Sequence, residues 1–265
     1  MTEKQYRNHP AISRSELWKI SESPEKFKFY KVNPQEPTPA LLFGQVFHKL
    51  ALQPRTFNKE FAVMPNIDRR TKDGKEIYQA FIDESQGKTI ITADMYDLAK
   101  EMCESLKKEP LAVKLLKGKK EVPLFWKDKL TSEECKCRYD VLNENFSQPI
   151  IVDLKSANSA ANEEFMRSAI NHGYDFQAAM YSEGYLQNKG VKPLFVFIVV
   201  EKEPPYAVNI FQADELLIKR GYDLFREFMG TYHECKTTDN WYGYLGKSGI
   251  INNLALPSWL AKEVE

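Results

Sequence analysis

The 265-residue chain lacks an excess of charge of either sign, because 37 basic and 37 acidic residues balance at neutral pH. Proteins that bind polyanions over much of their surface are strongly basic, so any nucleic-acid surface here must be local. The chain also lacks an apolar run of membrane-spanning length, the longest being Leu194–Val200. Residues 1–10 are polar, without the apolar segment typical of a signal peptide. We therefore expect a cytosolic protein with no membrane contact.

Cysteine is scarce, and none of its four copies forms a C-x-x-C pair. Cys135 and Cys137 fall on the same side of a predicted strand, where packing is the expected role. The pattern predicts reduced, buried thiols at all four positions, which are Cys103, Cys135, Cys137 and Cys235. An iron–sulfur cluster would require a tighter C-terminal cysteine group than Cys235 alone provides, so we expect no such cluster.

Internal repeats and low-complexity segments are also missing. With 43% hydrophobic residues, the chain can bury a full core as a single domain over residues 1–265. We predict three parts: a helical N-terminal elaboration over residues 1–90, a core with the element order αβββαββα over residues 91–233, and an irregular tail over residues 234–265.

The spacing of apolar residues predicts the elements of this core. Helices are predicted over 92–116 with a break at Pro110, over 160–188 with a break at Gly173, and over 213–233. Strands are predicted over 121–126, 134–142, 149–155, 194–201 and 206–211. Because Leu194–Val200 has no polar alternation, helices should cover both faces of a central mixed sheet, which is an α/β (mixed α+β) fold class. The polar stretch 55–90 predicts a mobile loop around residues 69–75.

The apolar strand 150–155 carries an acid and an amine that packing does not require. In an extended strand, Asp153 and Lys155 point to one side, whereas Val152 and Leu154 point into the core. One face of the strand then presents a carboxylate and an ammonium group. The alternative is an ordinary surface ion pair between Asp153 and Lys155, which an isolated D-x-K pattern also allows.

A second acid comes from the preceding strand, 134–142. Alternation separates Asp140 from a packed side that consists of Cys135, Cys137, Tyr139 and Val141. The turn-rich stretch 143–149 would bring Asp140 beside Asp153. Close carboxylates repel unless a proton or a cation lies between them, and oxygen donors suit Mg²⁺ or Mn²⁺. The two acids therefore predict a divalent-metal site.

A basic run leads into this site. Between residues 107 and 138 there are ten Lys or Arg against five acids. Two of them, Lys136 and Arg138, share the side of the strand that carries Asp140, and we predict that they bind DNA. The alternative is a solvated helix end, since lysine-rich surfaces are common.

Three further elements fit the acid pair. Gly44 and His48 are four residues apart on one helical face, where the glycine permits close approach and the imidazole reaches forward. Gln177 and Tyr181 share a helical face directly after the acidic strands. Glu121 is charged at the start of an otherwise apolar strand. The alternatives are a core histidine, amphipathic packing and an edge charge.

Taken in chain order, G-x-x-x-H, a strand Glu, R-x-D, D-x-K and Q-x-x-x-Y resemble the PD-(D/E)xK nuclease superfamily, and within it the RecB-type nuclease module. The phage RecE-like exonucleases (exonuclease VIII) look most similar, because three more segments resemble theirs: Ile12–Leu17, Ser23–Phe27 and Gly173–Tyr181. The resemblance covers most of residues 11–245 and implies a restriction-endonuclease-like core. Cys137 departs from it, standing where glycine is frequent, and the acid of D-x-K is Asp rather than Glu. Neither departure removes a metal-binding oxygen.

The resemblance implies a role for each matching residue. Asp140 and Asp153 would bind the metal with the carbonyl oxygen of Leu154, and His48 would complete the site. Lys155 would orient the attacking water or help deprotonate it. The DNA backbone or the metal-bound water would be positioned by Gln177 and Tyr181, with Glu121 as a further contributor. The implied cofactor is Mg²⁺, for which Mn²⁺ would substitute.

The resemblance also implies a metal-dependent exodeoxyribonuclease that digests double-stranded DNA ends from 5′ to 3′. The single strands produced by this digestion would pass to an annealing recombination protein, and the enzyme would form a homo-oligomeric ring around DNA. It would act in a bacterial cytoplasm and be encoded by a phage or prophage. Two alternatives stay open: a structure-specific endonuclease or CRISPR-type end-trimming nuclease, and a non-catalytic DNA-binding protein on a nuclease fold.

Overall fold

The structure, a computed structural model, describes residues 1, 3–247, 249, 251 and 253–255. Its contacts divide the chain into two compact units, one made of Met1–Arg14 with Glu36–Arg226, the other of Ser15–Gln35 with Glu227–Glu265. Residues 36–90 of the predicted N-terminal elaboration therefore pack within the unit that contains the predicted core. That the whole chain acts as one domain stays a prediction.

The helices that the structure describes are α1 (Glu3–Asn8), α2 (Arg14–Trp18), α3 (Pro24–Val32), α4 (Pro39–Leu52), α5 (Phe57–Glu60), α6 (Lys72–Glu84), α7 (Ala93–Lys108), α8 (Pro110–Leu115), α9 (Asn162–Asn171), α10 (Tyr174–Lys189) and α11 (Glu215–Thr238). The strands are β1 (Ile12–Ser13), β2 (Phe61–Val63), β3 (Thr89–Ile91), β4 (Lys119–Lys127), β5 (Glu134–Asn143), β6 (Ile150–Ala157), β7 (Leu194–Glu201) and β8 (Val208–Gln212). The predicted core order αβββαββα and the mixed sheet are confirmed.

The central sheet has the strand order β1-β5-β6-β7-β8, with β4 also paired to β5. Because β4 pairs with β5 along nearly all its length, β1 and β6 must share the other edge of β5. β1 takes Cys135 and Lys136 on that edge, and β6 takes residues 141–143. Between them, residues 137–140 face an opening in the sheet.

The core under α4 and α7 fixes one wall of this opening. Thr38 caps α4 by accepting the Leu41 N–H, and Thr92 caps α7 in the same way. Phe47 of α4 and Met102 of α7 are buried in one apolar core with Val152 of β6 and Ile198 of β7. Each such fully buried side chain contributes about 1.5–3 kcal/mol. This packing holds α4, the helix that carries His48, against the strands.

The opposite wall is α10, which follows the predicted break at Gly173. Gly173 has a φ of 63°, a left-handed conformation that glycine adopts without steric cost. The guanidinium of Arg14 donates to the carbonyl oxygens of His172 and Gly173, which fixes the break between α9 and α10. Because the start of α10 is fixed in this way, the position of Gln177, the fourth residue of the helix, is also fixed.

The mobile loop predicted around residues 69–75 is wrong for residues 72–75, which lie in a helix, whereas residues 64–71 do form an irregular connection. The stretch 55–90 contains α5, β2, α6 and β3, and β2 pairs with β3 in parallel, with Phe61 opposite Thr89. Thr71 caps the N-terminus of α6, because its side chain accepts the Gly74 N–H. The pairing partners are 28 residues apart in sequence (89 − 61), which a local reading of polar residues does not detect.

Residues 234–265 were predicted to be irregular, but α11 continues to Thr238. Residues 248, 250, 252 and 256–265 of that prediction lie outside the described residues. The second unit has its own aromatic core, in which Phe27 contacts Tyr232 and stacks on Trp241. All four cysteines are buried and free, as predicted. Within the described part of the chain, no helix is both long and apolar enough to cross a membrane.

Candidate active site

Asp140 lies where β5 and β6 separate. The last paired residues of their ladder are Val141 and Val152, so Asp140 and Asp153 are the first positions beyond it. The main chain of β6 contacts Asp140 in another way, because the N–H of Leu154 donates to its Oδ2 at 2.8 Å. The predicted register of the two acids is therefore correct.

Glu121 and His48 complete a cluster with Asp140. Glu121 is opposite Asp140 in the β4–β5 register, but this pair is missing from the ladder, and Glu121 has a φ of 50°. A non-glycine residue in this left-handed region is uncommon and costs free energy. His48 reaches in from α4, with its Nδ1 3.4 Å from Asp140 Oδ2. One ligand atom from each of the three residues lies within 4.8 Å of the others.

Protonation offsets the repulsion between the acids of this cluster. Burial lowers the pKa of His48, but the charge of Asp140 outweighs it and raises that pKa to about 9. Burial works against ionisation of Asp140, yet His48 and Lys155 hold its pKa below the usual value. Burial and the charge of Asp140 raise the pKa of Glu121 to about 7. At neutral pH the cluster therefore contains a carboxylate, an imidazolium and a partly protonated acid.

The donor set fits a divalent cation. Two carboxylates and an imidazole are ligands that Mn²⁺ accepts, and the carboxylates also suit Mg²⁺. A bound cation would take the place of the protons that now separate these groups. His48, Glu121 and Asp140 are the residues that would hold it.

We expect the affinity for Mn²⁺ to rise with pH between about 7 and 9. His48, with a pKa of about 9, and Glu121, with a pKa of about 7, carry protons that must leave when a metal binds. Each released proton changes the affinity by up to about tenfold per pH unit. Titration calorimetry at pH 8 in buffers of different ionisation enthalpy counts the protons. His48→Gln should remove one, and an equal count in both proteins would contradict this assignment.

Asp153, Lys155 and Gln177 form a second cluster beside the first. Lys155 Nζ lies 2.6 Å from Asp153 Oδ2 and donates to Gln177 Oε1 at 3.2 Å. The Gln177 amide Nε2 donates to Asp153 Oδ1. Asp153 is 3% exposed, and burial together with the charge of Asp140 raises its pKa although Lys155 opposes this. Burial lowers the pKa of Lys155, but Asp153 outweighs it, so the net change is upward.

The structure thus brings six predicted residues into two adjacent clusters. Whether Asp153 and the carbonyl oxygen of Leu154 share the cation with Asp140 stays a prediction. The main-chain oxygen of Tyr181 accepts the Tyr139 hydroxyl at 3.0 Å, and burial raises the pKa of the Tyr181 phenol well above its usual value. The predicted role of Tyr181 with DNA or water also stays a prediction.

Lys136 is buried rather than facing a groove, which contradicts its predicted contact with DNA. It is 3% exposed, and its ammonium donates to the carbonyl oxygens of Tyr6, Arg7 and His9 at 2.7–3.1 Å. These are carbonyls at the end of α1 and just beyond it, so Lys136 anchors the N-terminal segment. Arg138 does line the opening, with its Nε 2.8 Å from Glu121 Oε2.

We expect Lys136→Met to destabilise the protein without changing how DNA binding depends on salt. Three carbonyl oxygens would lose their donor in a buried place, which costs about 2 kcal/mol. A residue that contacts phosphate would instead reduce the salt slope by about one when replaced. Urea unfolding and DNA titration at several salt concentrations measure both quantities. Arg138→Met is the matched comparison, since it should reduce the slope.

A cleft of about 1050 Å³ gives access to the site. Its lining includes His48, Glu121, Arg138, Asp140, Lys155 and Tyr174. Sequence reasoning missed Tyr174, whose ring centroid lies 4.5 Å from Lys155 Nζ, close enough for a cation–π contact. The available signal was its place directly after Gly173, at the start of the helix that carries Gln177.

Three comparisons with known proteins show what this chain is similar to. A family described as "PDDEXK-like domain of unknown function (DUF3799)" matches residues 13–253. The crystal structure of a candidate exonuclease from Eubacterium rectale is similar, with 15% identity, a TM-score of 0.64, and coverage of 97% of this chain and 96% of that chain. The structure of SSO0001 has 12% identity, a TM-score of 0.33, and coverage of 80% and 86%. Comparison with curated proteins gave no significant match.

Proposed function

The chain belongs to the family of PDDEXK-like domains, and on that premise we propose that it is a metal-dependent deoxyribonuclease that hydrolyses phosphodiester bonds. One observation carries the proposal: Asp140 faces His48 and Glu121 at the opening between two strands, with the ammonium of Lys155 in the same cleft. A protein that only binds DNA gains nothing from carboxylates placed towards phosphate, because like charges repel.

The residues of the cleft divide the chemistry between them. A divalent cation, when bound at His48, Glu121 and Asp140, supplies Lewis acidity towards phosphate and lowers the pKa of water. Lys155 places a positive charge where the phosphate gains negative charge, and Asp153 and Gln177 hold it there. Mg²⁺ is the proposed cofactor, because two of the three side chains that would hold it are carboxylates.

Linear double-stranded DNA is the proposed substrate, digested from its 5′ ends. The resemblance to RecE-like exonucleases supports this polarity. It also supports a ring of identical subunits and an annealing recombination partner in the cytoplasm of a bacterium that carries a phage or prophage. The candidate exonuclease from Eubacterium rectale is similar over nearly the whole chain, which supports the fold on which this proposal rests. Arg138 and Lys202, both in the cleft, supply local positive charge in a neutral protein.

The test uses three DNA substrates with and without Mg²⁺: linear duplex labelled at the 5′ end, linear duplex labelled at the 3′ end, and a covalently closed circle. We expect release of the 5′ label as mononucleotides, metal dependence, and an uncut circle. Cutting of the circle would favour the endonuclease alternative. Binding of linear DNA without cleavage in either Mg²⁺ or Mn²⁺ would favour the non-catalytic alternative. Sedimentation equilibrium tests the ring independently.

A further inference from the structure

Gly44 occupies an unfavourable place in α4. It lies in the interior of a 14-residue helix, where glycine is the poorest residue other than proline. Packing does not require it, because a Cβ at this position would have no atom of the described residues within 4 Å apart from the adjacent backbone of α4 itself. Two other helical glycines differ: a Cβ at Gly184 would lie 2.8 Å from the Trp126 ring, and one at Gly221 would collide with the carbonyl oxygen of Asp175.

The position of Gly44 in the cleft points to an external neighbour. Leu41, Gly44 and His48 all line the cleft, and their spacing of three and four residues places them on one face of α4. Leu41 is 56% exposed although it is apolar. This face of α4 therefore presents, in order, the exposed apolar side chain of Leu41, the bare helix backbone at Gly44, and the imidazole of His48 in the candidate metal site.

We infer that one strand of the DNA substrate crosses α4 at Gly44, with its sugar–phosphate backbone against the helix backbone. This inference rests on the proposed function and adds the path that the strand takes to His48 and Asp140. A bare helix surface permits a closer approach than any side chain would. Sugar carbons would contact Leu41, and the phosphate beyond them would reach the candidate metal site formed by His48, Glu121 and Asp140.

The test compares Gly44→Ala and Gly44→Gln with a matched control, Gly230→Ala. Gly230 also lies within a helix, and among the described residues its Cβ position meets no atom within 4 Å beyond the adjacent helix backbone, but it is exposed on α11 and does not line the cleft. Both alanine variants should raise Tm by about 2 °C, since alanine favours helix. Gly230→Ala should cleave DNA like the wild type. Gly44→Ala should weaken DNA binding, and Gly44→Gln should raise Kd and KM by about tenfold.

Mn²⁺ affinity, the KM for cleavage and DNA binding together separate the outcomes. Mn²⁺ affinity should stay unchanged in both Gly44 variants, because the substitutions block the path of the substrate and leave the candidate metal ligands intact. If the wild type cleaves DNA and Gly44→Gln keeps a wild-type KM, the path is wrong and the proposed function stands. If Mn²⁺ affinity falls in parallel with DNA binding, Gly44 acts through His48 and the path is also wrong. A wild type that neither binds nor cleaves DNA overturns the proposed function and the path together.

Discussion

Asp140→Asn is expected to reduce metal-dependent DNA cleavage by about a thousandfold, equivalent to about 4 kcal/mol of lost transition-state stabilisation. Asp140 links helix α4 to strand β6, because its carboxylate faces His48 of α4 and accepts the N–H of Leu154 of β6. Asparagine keeps the shape but lacks the charge that attracts a cation. Without that charge the pKa of His48 should fall, since burial then acts unopposed by its main partner.

Initial rates of duplex digestion and Mn²⁺ titration measure the effect of Asp140→Asn. The matched control is Asp97→Asn on α7, an exposed acid outside the cleft that should leave both quantities unchanged. Because the half-buried acid Asp140 is replaced by an isosteric neutral group, the far-UV spectrum and Tm should stay close to wild type. Wild-type cleavage by Asp140→Asn would exclude Asp140 from the metal site.

Lys155→Met should abolish detectable cleavage and also destabilise the fold. Asp153 is buried, and Lys155 is the cation that compensates its charge at 2.6 Å. Removing one partner of a buried ion pair costs about 3 kcal/mol because the other charge is left uncompensated. The pKa of Asp153, already raised by burial, should rise further. The folded protein then binds the Asp153 proton more tightly than the unfolded chain does, so stability should fall as pH rises above about 4.

A double variant separates catalysis from folding. Lys155→Met with Asp153→Asn removes the uncompensated charge, so stability and its normal pH dependence should return while cleavage stays absent. Urea unfolding at pH 5 and pH 8, together with the cleavage assay, measures both properties. Recovery of cleavage in the double variant would show that Lys155 serves only to neutralise Asp153.

Local patterns were sufficient to predict much of this fold and site. The apolar run in β7 indicated a strand covered on both faces, and the alternation in β6 correctly placed Asp153 and Lys155 together. The β5–β6 register could be predicted because a turn joins these neighbouring strands. Likewise, the four-residue spacing in α4 and α10 placed His48 and Gln177 on the faces that reach the site.

Contacts between distant segments could not be predicted in this way. Lys136 shares the alternation of Arg138, but the N-terminal segment covers it, and no local pattern records a partner 127 residues away (136 − 9). Alternation also fails near Asp140. Tyr139 contacts α10, whereas Val141 packs in the core with α4 and α7, although both were predicted on one side. The left-handed backbone of Glu121, opposite Asp140, has no signature in a residue type that rarely adopts it.

The orientation of the Gln177 amide has a consequence for where protons reside during hydrolysis. Its oxygen accepts from Lys155 and its nitrogen donates to Asp153, an arrangement that suits a fully protonated amine and a deprotonated acid. An amine saturated with hydrogen has no lone pair with which to take a proton from water. Lys155 in this state is therefore suited to donate a hydrogen bond to phosphate rather than to accept a proton from water.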